Sequence, residues 1–392
     1  MSNSYIIGAS RTAVGRYLGG LSALPAPELA TYSLRSTLDR GGLEASAVEE
    51  VVLGVVLSAG LGQAPARQAA LRAGCSPQVG ALTINKVCGS GLKAVMLADQ
   101  AIRLGDQSII LAGGMESMSN APFLMPGARK GWKYGHQLSL DHLLHDGLWC
   151  PSENCAMGDL AEYISQKCSI SREAQDEFAA ESHRRAAAAI EEGAFFEEIA
   201  PVAISTRGKE KIITVDEGVR EETTLESLSA LKGAFQKEGT VTAGNASQLS
   251  DGAASLLVVS EEIALDSNAK LKAKIIASAT SGVEPKDIFI APVSAMEKVL
   301  SKANLSVDDI DLFELNEAFA AQALACMAPL NIPEEKTNVH GGAIALGHPL
   351  GASGARVLVT LLYALKRRGL KRGLASLCLG GGNAVAIIVE LV

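Results

Sequence analysis

Two cysteines, a histidine and an asparagine stand in settings where their side chains could do chemistry. Cys88 lies in Asn85-Lys86-Val87-Cys88-Gly89-Ser90-Gly91-Leu92, directly before a helix expected from about Leu92 to Leu104. A thiol at a helix N-terminus faces unpaired N–H groups and the positive end of the dipole, and both favour thiolate. Gly89 and Gly91 permit the sharp turn that would expose the sulfur. The plainer alternative is a small buried cysteine beside a tight turn. His348 falls within a stretch from His340 to Gly354 in which six of fifteen residues are glycine or proline. Presented by so rigid a loop, it could take a proton from a thiol and donate to a developing oxyanion. Cys378 precedes Leu379-Gly380-Gly381-Gly382. It could act as acid and base, with glycine amides beyond it forming an oxyanion hole. Asn316, in Asn316-Glu317-Ala318-Phe319-Ala320, ends an expected strand, where α/β enzymes place functional side chains. It could also cap the helix that follows.

The elements that would position these residues come in two copies. Leu38-Asp39-Arg40-Gly41-Gly42-Leu43, then Val48 and Val51-Val52-Leu53, reads as helix, turn and strand. Leu300-Ser301-Lys302-Ala303-Asn304-Leu305, then Ile310 and Phe313-Glu314-Leu315, repeats it 262 positions later. Gly91 opens a second such unit, with a helix and the strand Ser108-Ile109-Ile110-Leu111. Its counterpart begins at Gly354, 263 positions on, and leads to Leu374-Ala375-Ser376-Leu377. A near-constant offset across separate elements implies duplication. The alternation of strand and helix predicts an α/β fold of mostly parallel sheets covered by helices. Residues 1–117 with 250–271 are expected to form one half and 272–392 the other. Residues 118–249 form an inserted loop domain, in which Ser171 caps a helix that Gly193 terminates.

Bulk properties narrow the function class. The 392 residues carry a formal charge of −8, which argues against nonspecific nucleic-acid binding. Seven scattered cysteines indicate free thiols in a reducing compartment, and a cytoplasmic location is expected. No apolar run reaches membrane-spanning length. His136, His142, His145, Cys150 and Cys155 lack the close pairing of common zinc sites, so no metal is expected.

The four segments around Cys88, Asn316, His348 and Cys378 resemble the signature blocks of the thiolase family, in the same order and spread along the whole chain. The resemblance implies a Claisen-type exchange between acyl-CoA units. Cys88, activated by His348, would carry the acyl group, and Cys378 would move the proton at carbon. His348 with a water held by Asn316 would form one oxyanion hole, and the backbone N–H groups of Cys88 and Gly380 the other. By the same resemblance, Arg220, Ser227, Phe235, Ala243, Gly244 and Ser247 would contact CoA. Leu148, Met157, Ala318 and Phe319 would meet the acyl and pantetheine parts. CoA enters as substrate and product, no prosthetic group is implied, and a homodimer or homotetramer is expected.

The match departs at Ala156, where the short-chain branch of the family often has histidine. Cys88-Gly89-Ser90-Gly91 favours that branch even so, which makes acetoacetyl-CoA from two acetyl-CoA. The alternatives are a thiolase for longer 3-ketoacyl chains or a non-catalytic acyl-CoA-binding or lipid-binding relative. A decarboxylating relative would usually replace Cys378 by histidine or asparagine. A Cys-His-Asn hydrolase would not need Cys378 at all.

Overall fold

Alternate residues of each long strand enter different apolar layers, and this period of two builds the molecule. The computed structural model describes residues 3–206 and 208–392. Its principal strands are β1 (Ser4–Thr12), β2 (Glu50–Gly54), β3 (Gly80–Ile84), β4 (Ile109–Ser117), β5 (Ser250–Ser260), β6 (Ala273–Gly282), β7 (Leu312–Leu315), β8 (Arg372–Leu379) and β9 (Asn383–Leu391). They follow one path, β7-β8-β9-β6-β1-β5-β4-β2-β3. The helices that cover them are α1 (Ala26–Gly41), α2 (Pro65–Ala73), α3 (Ser90–Leu104), α4 (Met157–Lys167), α5 (Arg172–Glu191), α6 (Ala291–Ala303), α7 (Ala320–Met327) and α8 (Leu350–Arg368).

Ile7, Val51, Leu53 and Leu257 face outward under α1 and α2. Their neighbours Ile6, Val52, Leu256 and Val258 face inward onto α3 and α8. On the other half, Leu377, Val385 and Ile387 meet the same two helices, while Ala386 and Ile388 lie under α6 and α7. The α/β class holds. Parallel pairing, expected of the repeats, occurs at β2–β3, β2–β4 and β7–β8. The middle of the sheet is antiparallel, because β5 and β9 return beside β4 and β8 rather than crossing over again.

The duplication is visible in hydrogen bonds. Leu43 N donates to Leu38 O past the left-handed Gly42, and Leu305 N donates to Leu300 O past the left-handed Asn304. Both close their helix with the same Schellman-type bond. The repeated glycines serve one purpose, close contact between α3 and α8. A Cβ on Gly91 would sit 2.7 Å from Ala355 N, and one on Gly354 would sit 2.5 Å from Leu92 N. Since backbone blocks each, Gly354→Ala is expected to destabilise the fold by about 1–3 kcal/mol. A denaturant titration tests this, and an unmoved midpoint would contradict it.

Residues 118–249 contain α4, α5, the hairpin Val202–Thr206 with Lys209–Ile213, and a wide helical turn at Leu143–Leu148. Ser171 caps α5 by accepting from Ala174 N at 3.1 Å, and Gly193 follows its end at φ 65°. No helix among the described residues is long and apolar enough to cross a membrane.

Candidate active site

Cys88 is delivered by a strained turn. Val87, a β-branched residue, has φ 47°, a region that costs such residues about 1–3 kcal/mol. Ser90 at the start of α3 holds the turn, its Oγ accepting from Lys86 N at 2.8 Å and donating to Val87 O at 2.7 Å. A second turn interlocks with it. After Cys378 at the end of β8, Gly381 and Gly382 both take left-handed φ near 80°, which turns Gly380 back toward Cys88. A Cβ on Gly89 would fall 2.1 Å from the Leu379 side chain, and one on Gly380 would fall 2.9 Å from Val87. The fit brings the Gly380 N–H to the Cys88 sulfur, where the Cys88 N–H also points.

His348 is fixed at backbone and ring. Its N–H is shared between Gln248 O at 3.1 Å and Ser250 Oγ at 3.2 Å. Its Nδ1 lies 2.6 Å from Ser353 Oγ, and the Ser353 hydroxyl donates to Pro349 O at 2.8 Å. A hydroxyl has one proton. With that proton on Pro349, Ser353 accepts from Nδ1–H, so Nε2 keeps its lone pair as a base. The loop needs Gly347, at φ 112°, because a Cβ there would strike Ser250 Oγ.

Cys88, His348, Cys378 and Gly380 line one cavity of about 170 Å³. Its walls are apolar: Met118, Leu144, Leu148, Met157, Ile288 and Phe319 among others. Burial pushes the Cys88 thiol up to about 12, opposed by the N–H groups of Gly380 and Cys88, while the nearby Glu116 adds to the rise. The Cys378 thiol is pushed well up by burial and then by Cys88 beside it. Burial lowers His348 to about 3, with Arg356 contributing. At neutral pH the site therefore holds two thiols and a neutral imidazole. This differs from the stabilised thiolate expected at a helix N-terminus, because desolvation outweighs the two amide donors.

Asn316 follows β7, and its N–H extends the ladder by donating to Ser376 O at 3.1 Å. Its side-chain amide is fully buried, and neither Oδ1 nor Nδ2 has a hydrogen-bond partner. The capping role does not hold: α7 begins at Ala320 with Phe319 as its N-cap residue.

Leu148, Met157, Phe235, Ser247, Ala318 and Phe319 join Cys88, His348, Cys378 and Gly380 around the cavity, whereas Asn316 is not among its lining residues. Phe235 stands edge-on to Phe319 with ring centres 6.2 Å apart. Arg220, Ser227, Ala243 and Gly244 are not among its lining residues. Ser227 is occupied in a capping box with Thr224, and Arg220 N donates to His183 Nδ1 at 3.1 Å. His142 and His145 both pair with Asp146 rather than forming a ligand cluster. Sequence reasoning missed Glu116, a buried carboxylate accepting from Val56 N, Leu57 N and Gly351 N. It ties the segment that follows β2 to the start of α8, next to His348. Burial lifts it to about 7. Nothing in the sequence of a strand end marks such a residue.

Residues 4–262 match the family description "Thiolase, N-terminal domain", and residues 269–391 match "Thiolase, C-terminal domain". The chain is 51% identical over 388 residues to an acetyl-CoA acetyltransferase of Pseudomonas aeruginosa, covering 99% of each chain. It is 51% identical over 391 residues to an acetyl-CoA acetyltransferase of Cupriavidus necator, covering 100% of both. The crystal structure of the Bacillus anthracis acetyl-CoA acetyltransferase superposes with a TM-score of 0.98 at 42% identity, covering 100% of this chain and 99% of that one.

Proposed function

The chain belongs to the thiolase family, and from that premise we propose that it catalyses the reversible condensation of two acetyl-CoA into acetoacetyl-CoA and CoA. The observation that carries this reading is the meeting of Cys88, His348 and Cys378 in one apolar cavity. His348 Nε2 takes the Cys88 proton as the sulfur attacks the first acetyl-CoA. The carbonyl oxygen turns to the Cys88 and Gly380 N–H groups as the tetrahedral adduct forms. CoA leaves with a proton, and the acetyl group stays on Cys88. Cys378 passes its own proton to His348 Nε2, neutral again, and as thiolate removes a proton from the methyl carbon of a second acetyl-CoA. The carbanion attacks the acetyl-Cys88 carbonyl and expels the Cys88 thiolate, which takes the proton held by His348, so both cysteines end as thiols.

The electrostatics favour this order. Two adjacent thiols resist ionising together, since each thiolate raises the other. Once Cys88 is acylated no thiolate can form there to oppose a second one, so Cys378 is the only one of the two sulfurs left to ionise in the second half-reaction. Asn316, with its unpartnered buried amide, suits a role in holding a water that donates to the thioester oxygen of the second acetyl-CoA. No prosthetic group has a part, because the thioester supplies the activation. CoA contacts by Phe235, Ser247, Leu148, Met157, Ala318 and Phe319 belong to this proposal, as do the outlying Arg220, Ser227, Ala243 and Gly244. So do the inserted domain as the CoA-handling unit, a homodimeric or homotetrameric assembly, and a cytoplasmic location.

Thiolysis of acetoacetyl-CoA by free CoA tests the proposal. Rapid loss of acetoacetyl-CoA is expected, while turnover of only longer 3-ketoacyl-CoA would move the assignment to a long-chain thiolase. With His348 protonated only below about 3 and Cys88 losing its proton only near 12, neither gives an inflection between about pH 5 and pH 8, whereas Glu116 titrates there at about 7; the acylation rate of Glu116→Gln is therefore expected to be flat over that range. An inflection near the ordinary histidine value of about 6.5 that persists in Glu116→Gln would contradict a neutral base. Ser353→Ala should lower kcat/KM by about 2- to 10-fold by releasing the ring, and Ser353→Thr should restore it.

A further inference from the structure

Two cysteines outside the proposed mechanism face each other. After the wide turn at Leu143–Leu148, Trp149–Cys150 pairs antiparallel with Cys155–Ala156, and Cys150 and Cys155 are register partners. Directly opposed residues on such a ribbon point to the same face, with Cα atoms about 4.5–5.5 Å apart. That span lies within the reach of a disulfide, about 4.4–6.8 Å. Both thiols are free, and they pack in one apolar cluster with Val241, Ile288 and Phe319. Burial raises the Cys155 thiol, and Cys150 is the next cause, as expected of neighbouring sulfurs.

We propose that Cys150 and Cys155 form a reversible disulfide that fixes the wall of the acyl cavity. Ala156 of the ribbon and the flanking Leu148 and Met157 line that cavity. Cys155 is the more accessible of the two and Cys150 is buried, which assigns attack to Cys155 and resolution to Cys150. With glutathione disulfide as oxidant, the Cys155 thiolate attacks one sulfur and expels a first glutathione thiolate. Cys150 loses its proton and attacks the Cys155 sulfur of that mixed disulfide, expelling the second. Two electrons and two protons pass from the pair to glutathione.

Trypsin would release both cysteines in the single peptide 134–167, separate from Cys88, Cys168 and Cys378. The native enzyme is treated with glutathione disulfide, alkylated, digested and weighed. The proposal expects that peptide to lose two hydrogens, take no alkyl group, and regain both thiols in dithiothreitol. Recovery with two alkyl groups, or with glutathione retained on either sulfur, would overturn it. A second arm rests on the proposed acyl transfer. After oxidation in the presence of acetyl-CoA, which keeps Cys88 acylated, KM for acetoacetyl-CoA should rise severalfold and return on reduction. Cys155→Ala should keep basal thiolysis and show no such rise. A disulfide that leaves KM unmoved would overturn its link to the cavity, and an enzyme without thiolysis would refute the acyl-transfer reading while the peptide result still stands.

Discussion

Cys88→Ala enzyme is expected to lose both thiolysis and condensation by at least about 10⁴-fold in kcat/KM, equivalent to about 5 kcal/mol of transition-state stabilisation. No other cavity group can replace it. Cys378 shares the cavity, but the Gly380 and Cys88 N–H groups converge on the Cys88 sulfur, so only an adduct there finds both donors in place. The variant should fold normally, since alanine fits where the sulfur stood and the turn at Val87 is held by Ser90. Steady-state kinetics with acetoacetyl-CoA, beside a thermal melt, separates lost chemistry from lost structure. A variant within tenfold of the parent would contradict the role of Cys88 as acyl carrier.

Cys378→Ala should divide the reaction in two. Condensation is expected to fall by about 10²- to 10⁴-fold, the range for removing a positioned proton-transfer group. Exchange of the acetyl group between acetyl-CoA and labelled CoA needs only Cys88 and His348, and should survive within about tenfold. The same variant separates this account from a Cys-His-Asn hydrolase, in which Cys378 would be dispensable. Equal losses in both half-reactions would show instead that Cys378 holds the cavity together. That outcome is expected to be absent, because Cys378 packs in an apolar cluster that also holds Ile288, Phe289 and Phe319 and, among the described residues, makes no structural hydrogen bond that alanine would lose.

The parts legible in the sequence are those in which a local rule and a distant repeat agree. Cys88 and Cys378 stand at glycine turns whose geometry follows from residue type, and the offset from Gly91 to Gly354 predicted corresponding helices. In the structure these glycines let α3 and α8 meet. Asn316 was legible as a strand-end residue. Its capping role failed because the chain runs on through Phe319 before α7 begins. The remaining walls were not legible. Met118, Leu144, Ile288 and Phe289 come from separate segments, and in sequence an apolar residue facing a cavity looks like one facing the core. The burial that raises the Cys88 thiol was not legible for a related reason, since the helix terminus is local but desolvation depends on every element packed around it. Arg220 and Ser227 show the converse limit: their motif match did not bring them to the cavity lining.

Trapping the acyl-enzyme tests the central claim most directly. The protein is mixed with acetyl-CoA alone, quenched in acid and digested, and the peptides are weighed. The account predicts one acetyl group, on the peptide that contains Cys88, removed when free CoA is added before the quench and absent from Cys88→Ala. Acetyl on Cys378 or on any other residue, or none in an enzyme that still turns over acetoacetyl-CoA, would contradict it.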